Sequence, residues 1–170
     1  MEASLTSDRL SLNLLQLEDA AFIFELVNTP AWIRFIGDRN VSSKTKAEAF
    51  VQSVIDNPNV DYWVVRSAPN SAPVGIVSLV KRDYLDFHDV GFAFLPEHTK
   101  KGFAYEASCI LLRQLAKEDL SPTILATTVK DNSSSIALLE KLGFHFDKQI
   151  ENDGEELFLY AAPMSEFRQK

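Results

Sequence analysis

The feature that most constrains this chain is a buried strand that passes through a short basic loop into an amphipathic helix. Residues 90–95 form an apolar run, and residues 104–117 carry apolar side chains at helical spacing. The loop between them contains Lys100, Lys101 and Gly102. The first N–H groups of a helix lack intrahelical acceptors and lie at the positive end of its dipole, so this loop suits an anion such as a phosphate. An ordinary connection with solvated lysines is the alternative.

A second strand-to-helix junction follows nearer the C-terminus. The β-rich run of residues 124–129 precedes Asn132, a good N-cap residue for a helix over residues 133–142. Gly143 follows that helix, and Phe144 is placed to pack back against it, which is typical of a Schellman end. The chain therefore contains two junctions of one type.

The order of elements predicts one mixed α/β domain over residues 1–170, with a mostly antiparallel sheet flanked by helices. About seven strands are predicted, at residues 9–14, 62–66, 74–80, 89–95, 124–129, 145–150 and 156–162. About four helices are predicted, at residues 17–27, 45–56, 104–117 and 133–142. The segment Thr45 to Glu48 has a capping-box pattern, and Asn152-Asp153-Gly154 predicts a hairpin turn.

Composition excludes several classes of function. The net charge is −7, which disfavours a nucleic-acid binder because such proteins present a basic face. No apolar run approaches the roughly 20 residues of a membrane span, and no secretory signal is visible, so we expect a cytoplasmic protein without a membrane partner. Cys109 is the only cysteine, so the sequence predicts no disulfide and no metal cluster.

The two junctions resemble motifs of the GCN5-related N-acetyltransferase (GNAT) superfamily. The similarity is greatest to its RimJ/RimL-type branch of ribosomal-protein alanine/serine N-terminal acetyltransferases. Residues 96–107 match that branch's P-E-x-x-x-x-G-[YF]-A-x-E-A pattern, and residues 132–144 match N-x-x-[SA]-x-x-x-L-E-K-L-G-F. Residues 8–20 are similar to the family's opening strand and helix. The resemblance implies a GNAT fold whose sheet splays in the middle, with acetyl-CoA as cosubstrate and its pantetheine arm in the split.

The resemblance also implies which residues contact acetyl-CoA. Backbone N–H groups of the loop would hold the diphosphate, namely those of Thr99, Lys100, Lys101, Gly102, Phe103 and Ala104. A backbone N–H near Phe94 or Leu95 would polarise the thioester carbonyl. Asn132 would bond the cofactor arm, or it would serve only as a helix cap.

Two side chains are candidates for proton transfer. The superfamily often uses a Tyr to protonate the thiolate, but Leu139 stands at that position, so the resemblance points to Ser135 instead. A serine that merely faces the first helical turn is the alternative. For the general base the resemblance favours Glu155, among loop residues that also include Asp38, His88, Glu97 and His98.

The predicted function is acetyl transfer from acetyl-CoA to a primary amine, with a protein N-terminus, such as that of a ribosomal protein, as one acceptor. A small-molecule amine and a non-catalytic acyl-CoA-binding module are the alternatives, and a homodimer is compatible with each.

Two departures from the family pattern matter. Thr99 replaces a long polar residue, and Lys100 replaces a frequent Gly, which costs about 1 kcal/mol if the backbone there has a positive φ.

Overall fold

A single twisted sheet forms the centre of the computed structural model, which describes residues 4–168. Its strands are β1 (Ser4–Thr6), β2 (Leu10–Leu14), β3 (Val60–Ser67), β4 (Ala72–Val80), β5 (Asp89–Phe94), β6 (Thr123–Thr128), β7 (His145–Asn152) and β8 (Glu155–Pro163). Its α-helices are α1 (Ala20–Val27), α2 (Pro30–Phe35), α3 (Lys44–Ile55), α4 (Phe103–Lys117) and α5 (Ser133–Leu142). Three 3-10 turns complete the elements, at Leu17–Asp19, Pro96–His98 and Met164–Phe167.

The sheet has eight strands in the order β1-β2-β3-β4-β5-β6-β8-β7. Every pairing is antiparallel except β5 with β6, which run parallel and share the single pair Asp89 with Leu125. The predicted mixed, mostly antiparallel sheet with a central splay is confirmed. The additional strand is β1, whose three residues are too short to give a readable alternation.

Two clusters of buried side chains lie on opposite faces of this sheet. Trp63 and Val65 belong to the cluster that α4 and α5 complete, whereas Val64 between them belongs to the cluster under α1, α2 and α3. Successive side chains of a strand point to opposite faces, so this alternation assigns each helix group to its face. The helices that follow the two junctions therefore pack on the same face.

The ends of several elements follow from local chemistry. Gly143 has a φ of 105°, and the N–H of Phe144 donates to the carbonyl of Leu139 at 3.0 Å, which confirms the Schellman end of α5. The predicted capping box that begins at Thr45 is wrong, because α3 starts one residue earlier. Ser43 is the N-cap, and its Oγ accepts from the N–H of Lys46 at 3.2 Å.

The β7–β8 turn is the one that its residues predict. Asp153 and Gly154 both have positive φ values, 51° and 78°, as a two-residue type I′ turn requires.

Within residues 4–168, none of the helices combines the length and the apolar character that crossing a membrane requires.

Candidate active site

Parallel pairing brings the two strand-to-helix junctions to one edge of the sheet. Strand β5 leads to α4 and β6 leads to α5. Because β5 and β6 run in the same direction, both helices begin beyond the same edge. The two strands separate after the pair Asp89 with Leu125, so a split opens between the two helix starts. The motifs that carry the family resemblance thus flank this split.

Beyond the pair Asp89 with Leu125, the edge of β5 that faces the split pairs with no strand in the part of the chain that the structure describes. The N–H of Leu95 donates to the carbonyl of Val74 on β4 at 2.9 Å. Peptide groups alternate sides along an antiparallel strand, so those of Phe94 and Phe92 point away from β4 and into the split. The proposed carbonyl-polarising role of Leu95 is therefore wrong for this backbone, since its N–H is already engaged. Phe94, the other predicted residue, has an N–H directed into the split.

The loop before α4 presents a run of backbone donors. Lys100 and Gly102 have positive φ values of 60° and 79°, and Gly102 is an N-cap without a side-chain acceptor. Residues of alternating φ sign turn successive N–H groups to one side, which creates a concave anion site. Within residues 4–168, the N–H groups from Lys100 to Tyr105, which include those of Lys101, Phe103 and Ala104, donate to no protein acceptor.

The predicted set of phosphate donors included the N–H of Thr99, and the structure corrects this because that N–H is already engaged. It donates to the carbonyl of Pro96 at 3.3 Å and closes the preceding 3-10 turn. The Thr99 hydroxyl donates to the same carbonyl at 2.8 Å. Thr99 thus shapes the loop from its start, and the available donors begin at Lys100.

Arg9 fastens this loop to the first strands of the sheet. Its Nε donates to Glu106 in the first turn of α4 at 2.8 Å, and its Nη1 donates to the carbonyl of Lys101 at 3.3 Å. The guanidinium also lies 5.1 Å from the ring centroid of Phe103. Ser7 adds a hydroxyl donor to Glu106 at 2.6 Å. Residues that are nearly 100 positions apart in the chain therefore fix the shape of the loop.

The ion pair of Arg9 with Glu106 also controls the charge at the loop. Partial burial raises the pKa of Glu106, but the hydrogen bonds from Ser7 and Arg9 and the charge of Arg9 outweigh it and hold that pKa below its usual range. Glu106 is thus an anion beside a site that is suited to a phosphate. Arg9 offsets the repulsion that this carboxylate would otherwise exert.

Asn132 and Ser135 lie at the start of α5, on the other side of the split. Asn132 is the N-cap, and its Oδ1 accepts from the N–H of Ser135 at 3.2 Å. Both side chains are half-buried. In the part of the chain that the structure describes, Asn132 Nδ2 and Ser135 Oγ make no hydrogen bond. The cap uses only the Asn132 oxygen, so the amide nitrogen and the serine hydroxyl are free to contact a ligand.

Glu155 is the first residue of β8. It is exposed, and it pairs with Asn152. The turn beside it, Asn152 and Asp153, lines an open groove of about 550 Å³ together with residues of the β4–β5 connection that include Arg82 and Tyr84. The hairpin tip thus reaches the segment that precedes β5. Glu155 as the general base stays a prediction.

Asp89 at the vertex of the split was not identified from the sequence. It is only 3% exposed, and it forms an ion pair with Arg82. Its Oδ1 accepts from the N–H of Thr127 at 3.2 Å, and its Oδ2 accepts from the Thr127 hydroxyl at 3.1 Å. Burial raises the pKa of Asp89, whereas Arg82 and Thr127 oppose that change. A carboxylate at the start of an apolar strand was the available signal, since such a group needs partners.

An open strand edge beside a run of N–H groups without a protein acceptor in residues 4–168 suits a ligand that carries both amide and phosphate groups. A family model described as an acetyltransferase (GNAT) domain matches residues 9–145. The chain therefore belongs to the GNAT acetyltransferase family, whose members are N-acetyltransferases that use acetyl-CoA. This finding confirms the predicted enzyme class and cosubstrate.

Individual relatives are more distant. The chain is 24% identical over 139 residues to the uncharacterized N-acetyltransferase YnaD of Bacillus subtilis (strain 168), covering 82% of this chain and 81% of YnaD. The structure of the ribosomal L7/L12 alpha-N-protein acetyltransferase RimL in complex with coenzyme A is similar to this chain with a TM-score of 0.81 at 16% identity. The match covers 94% of this chain and 97% of the RimL chain. The structure of a spermidine N-acetyltransferase SpeG chimera from Vibrio cholerae and hSSAT is similar with a TM-score of 0.78 at 20% identity. The match covers 95% of this chain and 99% of the chimera. These two structures share the fold.

Proposed function

We propose that this N-acetyltransferase acetylates the N-terminal α-amine of a protein at the split between β5 and β6. The observation that carries its acetyl-CoA site is the run of N–H groups from Lys100 to Tyr105 that find no acceptor within residues 4–168, beside the open edge of β5, and the fold shared with the ribosomal L7/L12 alpha-N-protein acetyltransferase RimL favours a protein N-terminus as the acceptor. Acetyl-CoA brings a diphosphate, an amide-bearing arm and a reactive thioester, and each of these needs a different partner. A reaction in the cytoplasm is part of this proposal.

The loop before α4 holds the diphosphate. Its N–H groups from Lys100 onward donate to phosphate oxygens, and the helix dipole and the ammonium groups of Lys100 and Lys101 add positive charge. The amide-bearing arm pairs with the free N–H and carbonyl groups of Phe92 and with the free carbonyl of Phe94, as an added strand would. Asn132 donates its Nδ2–H to the same arm from the α5 side.

The remaining residues act at the thioester. The N–H of Phe94 donates to the carbonyl oxygen, where negative charge develops as the amine attacks the carbonyl carbon. When the carbon–sulfur bond breaks, the Ser135 hydroxyl donates a proton to the thiolate and is reprotonated from water. The Glu155 carboxylate accepts the proton that the acceptor ammonium must lose, through an intervening water. Leu139 occupies the position of the usual tyrosine acid and cannot donate a proton. Ser135 is therefore the residue of this motif that we assign as the proton donor.

The acceptor is tested with a panel of amines and mass-spectrometric detection of acetyl transfer. Peptides that begin with Ala or Ser are compared with the same peptides carrying a blocked N-terminus and with spermidine. We expect transfer to the free α-amine, none to the blocked peptides, and a kcat/KM at least about tenfold lower for spermidine. A preference for spermidine would contradict the protein acceptor.

Two alternatives have specific support. The spermidine N-acetyltransferase chimera shares the fold at a similar TM-score, so the fold itself does not select a protein acceptor. Leu139 in place of a tyrosine supports a module that binds acetyl-CoA without turnover. Acetyl-CoA binding without transfer to any amine of the panel would support that module.

A further inference from the structure

The split between β5 and β6 begins at one pair of residues. The carbonyl of His88 accepts from the N–H of Leu125 at 2.9 Å, and Asp89 pairs with Leu125. In a parallel ladder the next rung would require the N–H of Thr127 to donate to the carbonyl of Val90. That rung is absent between these two strands, although both continue for several residues. The ladder is therefore stopped at a defined place.

The donor that the next rung needs is already used. Asp89 Oδ1 accepts from the N–H of Thr127 at 3.2 Å, and Asp89 Oδ2 accepts from the hydroxyl of the same residue at 3.1 Å. A carboxylate reaches farther than the backbone carbonyl of the strand, so β6 is held away from β5 at this point. One side chain replaces a backbone rung with a wider bridge.

Arg82 fixes this carboxylate from the opposite side. Its guanidinium pairs with Asp89 from the connection between β4 and β5, and it lies 6.0 Å from the ring centroid of Tyr84. A buried carboxylate without partners would be costly, so the ion pair and the two Thr127 donors stabilise Asp89 in this position. Removing the carboxylate would leave the N–H of Thr127 without its present acceptor, and the carbonyl of Val90 is the backbone acceptor that the next rung of a parallel ladder would supply.

We propose that Asp89 is a positioning residue that ends the β5–β6 ladder after one rung and thereby keeps the open edge of β5 available for acetyl-CoA. It acts through Thr127 and not by contact with the reacting atoms. The inference rests on the proposed function in one respect, namely that the arm of acetyl-CoA pairs with that edge.

The test compares three variants with the wild type. Asp89→Ala removes the bridge, and Asp89→Asn keeps an oxygen that accepts from Thr127. The double variant Asp89→Ala with Thr127→Pro removes both the bridge and the donor of the extra rung. Proline is tolerated there because the N–H of Thr127 points toward β5 and takes no part in the pairing of β6 with β8.

Two quantities are measured in each variant. Backbone NMR contacts report whether Thr127 lies against Val90, and calorimetry gives the Kd of acetyl-CoA. We expect Asp89→Ala to gain the contact and to raise Kd at least about tenfold, which corresponds to ~1.4 kcal/mol. Asp89→Asn should stay within about threefold of the wild type, and the double variant should recover most of the lost affinity.

The results of these measurements distinguish a failure of the Asp89 proposal from a failure of the proposed function. If Asp89→Ala binds acetyl-CoA like the wild type and shows no new contact, the inference is wrong. Failure of the double variant to recover affinity while it remains folded would also overturn it, because a general packing defect would then explain the loss. If the wild type itself binds no acetyl-CoA, the proposed function fails, whereas the NMR contacts still decide whether Asp89 stops the ladder.

Discussion

The starts of α4 and α5 lie at the same edge of the sheet, yet they treat their first N–H groups in opposite ways. Helix α5 is capped by its own sequence, since Asn132 accepts from the N–H of Ser135. The N-cap of helix α4 is Gly102, which has no side chain that could accept a hydrogen bond, and the loop before α4 is held by Arg9 from the turn that precedes β2. A helix start that is self-capped is stable without a ligand, whereas one that is braced but uncapped keeps its donors for a ligand.

The largest effect is expected where the uncapped start is disturbed directly. Gly102→Val places a β-branched residue at a φ of 79°, and its Cβ would lie 3.5 Å from Arg9 Nη2. The loop should leave this conformation, and the Kd of acetyl-CoA should rise about 10- to 100-fold, since such strain amounts to ~1–3 kcal/mol. Calorimetry measures the change.

Gly154→Val is the matched control for that variant. Gly154 has a φ of 78° in the β7–β8 turn, and a Cβ there would meet no atom within 4 Å. The backbone strain is comparable, but the loop before α4 is untouched, so affinity for acetyl-CoA should not change. Equal losses of affinity in both variants would mean that general strain, not the loop, explains the result.

The external brace is tested next. Arg9→Ala exposes a bound phosphate to the uncompensated carboxylate of Glu106 and frees the carbonyl of Lys101, so the Kd should rise about five- to tenfold. Glu106→Gln removes the negative charge instead and should bind acetyl-CoA at least as well as the wild type. The difference between the two variants should shrink as salt is added, because exposed charges are screened. A difference that salt does not alter would contradict the electrostatic explanation.

The self-capped start allows its two roles to be separated. Asn132→Ser keeps an oxygen acceptor for the N–H of Ser135 but has no amide nitrogen, so the melting temperature should hold while the Kd of acetyl-CoA rises about fivefold. Asn132→Ala should lose both properties, with a cost of ~1 kcal/mol in the free energy of unfolding. Unchanged affinity in Asn132→Ser would leave Asn132 as a helix cap alone.

Lys100 provides a smaller test of the strained loop. Its φ of 60° confirms that this position has the backbone conformation for which glycine is suited. Lys100→Gly should raise the free energy of unfolding by up to ~1 kcal/mol, because it relieves the left-handed strain. Lys101 does not share the positive φ, so Lys101→Gly should lower that free energy. Thermal unfolding of both variants distinguishes relief of strain from the loss of a lysine.

The smallest expected effect concerns the pH dependence of stability. The native pKa of Glu106 is lowered, so its ion pair stabilises the fold above the ordinary glutamate pKa of about 4.3 and is lost as the pH falls through the native value. The difference in melting temperature between the wild type and Glu106→Gln should therefore be constant near neutral pH and disappear in acid. The corresponding difference in the free energy of unfolding should stay below ~1 kcal/mol, because the pair is partly exposed. A difference that grows in acid would reverse the assigned sign.

Features that depend on nearby residues could be predicted from the sequence. The loop with Gly102, the cap at Asn132 and the Schellman end at Gly143 all follow from short motifs, whereas the splay of the sheet was implied by the family resemblance. The capping box at Thr45 was wrong because Ser43, two residues earlier, offers an equally good acceptor at the true helix start.

Features that depend on distant residues could not be predicted in this way. The bond from Thr127 to Asp89 spans 38 positions, and the bond from Arg9 to Glu106 spans 97. The engagement of the Leu95 N–H depends on the register between β4 and β5, which the sequence of β5 alone does not contain. These contacts decide which donors remain free, so they decide the details of the site.

The most direct test of the central claim is an NMR titration of the ¹⁵N-labelled protein with acetyl-CoA. The amides of Phe92, Phe94 and the run from Lys100 to Tyr105 should shift on binding, because these N–H groups have no acceptor among the described residues, 4–168. The amides of Leu95 and Thr99 should retain the hydrogen bonds that they make to Val74 and Pro96. Shifts confined to residues outside the split and the loop before α4, or no shifts at saturating acetyl-CoA, would contradict the account.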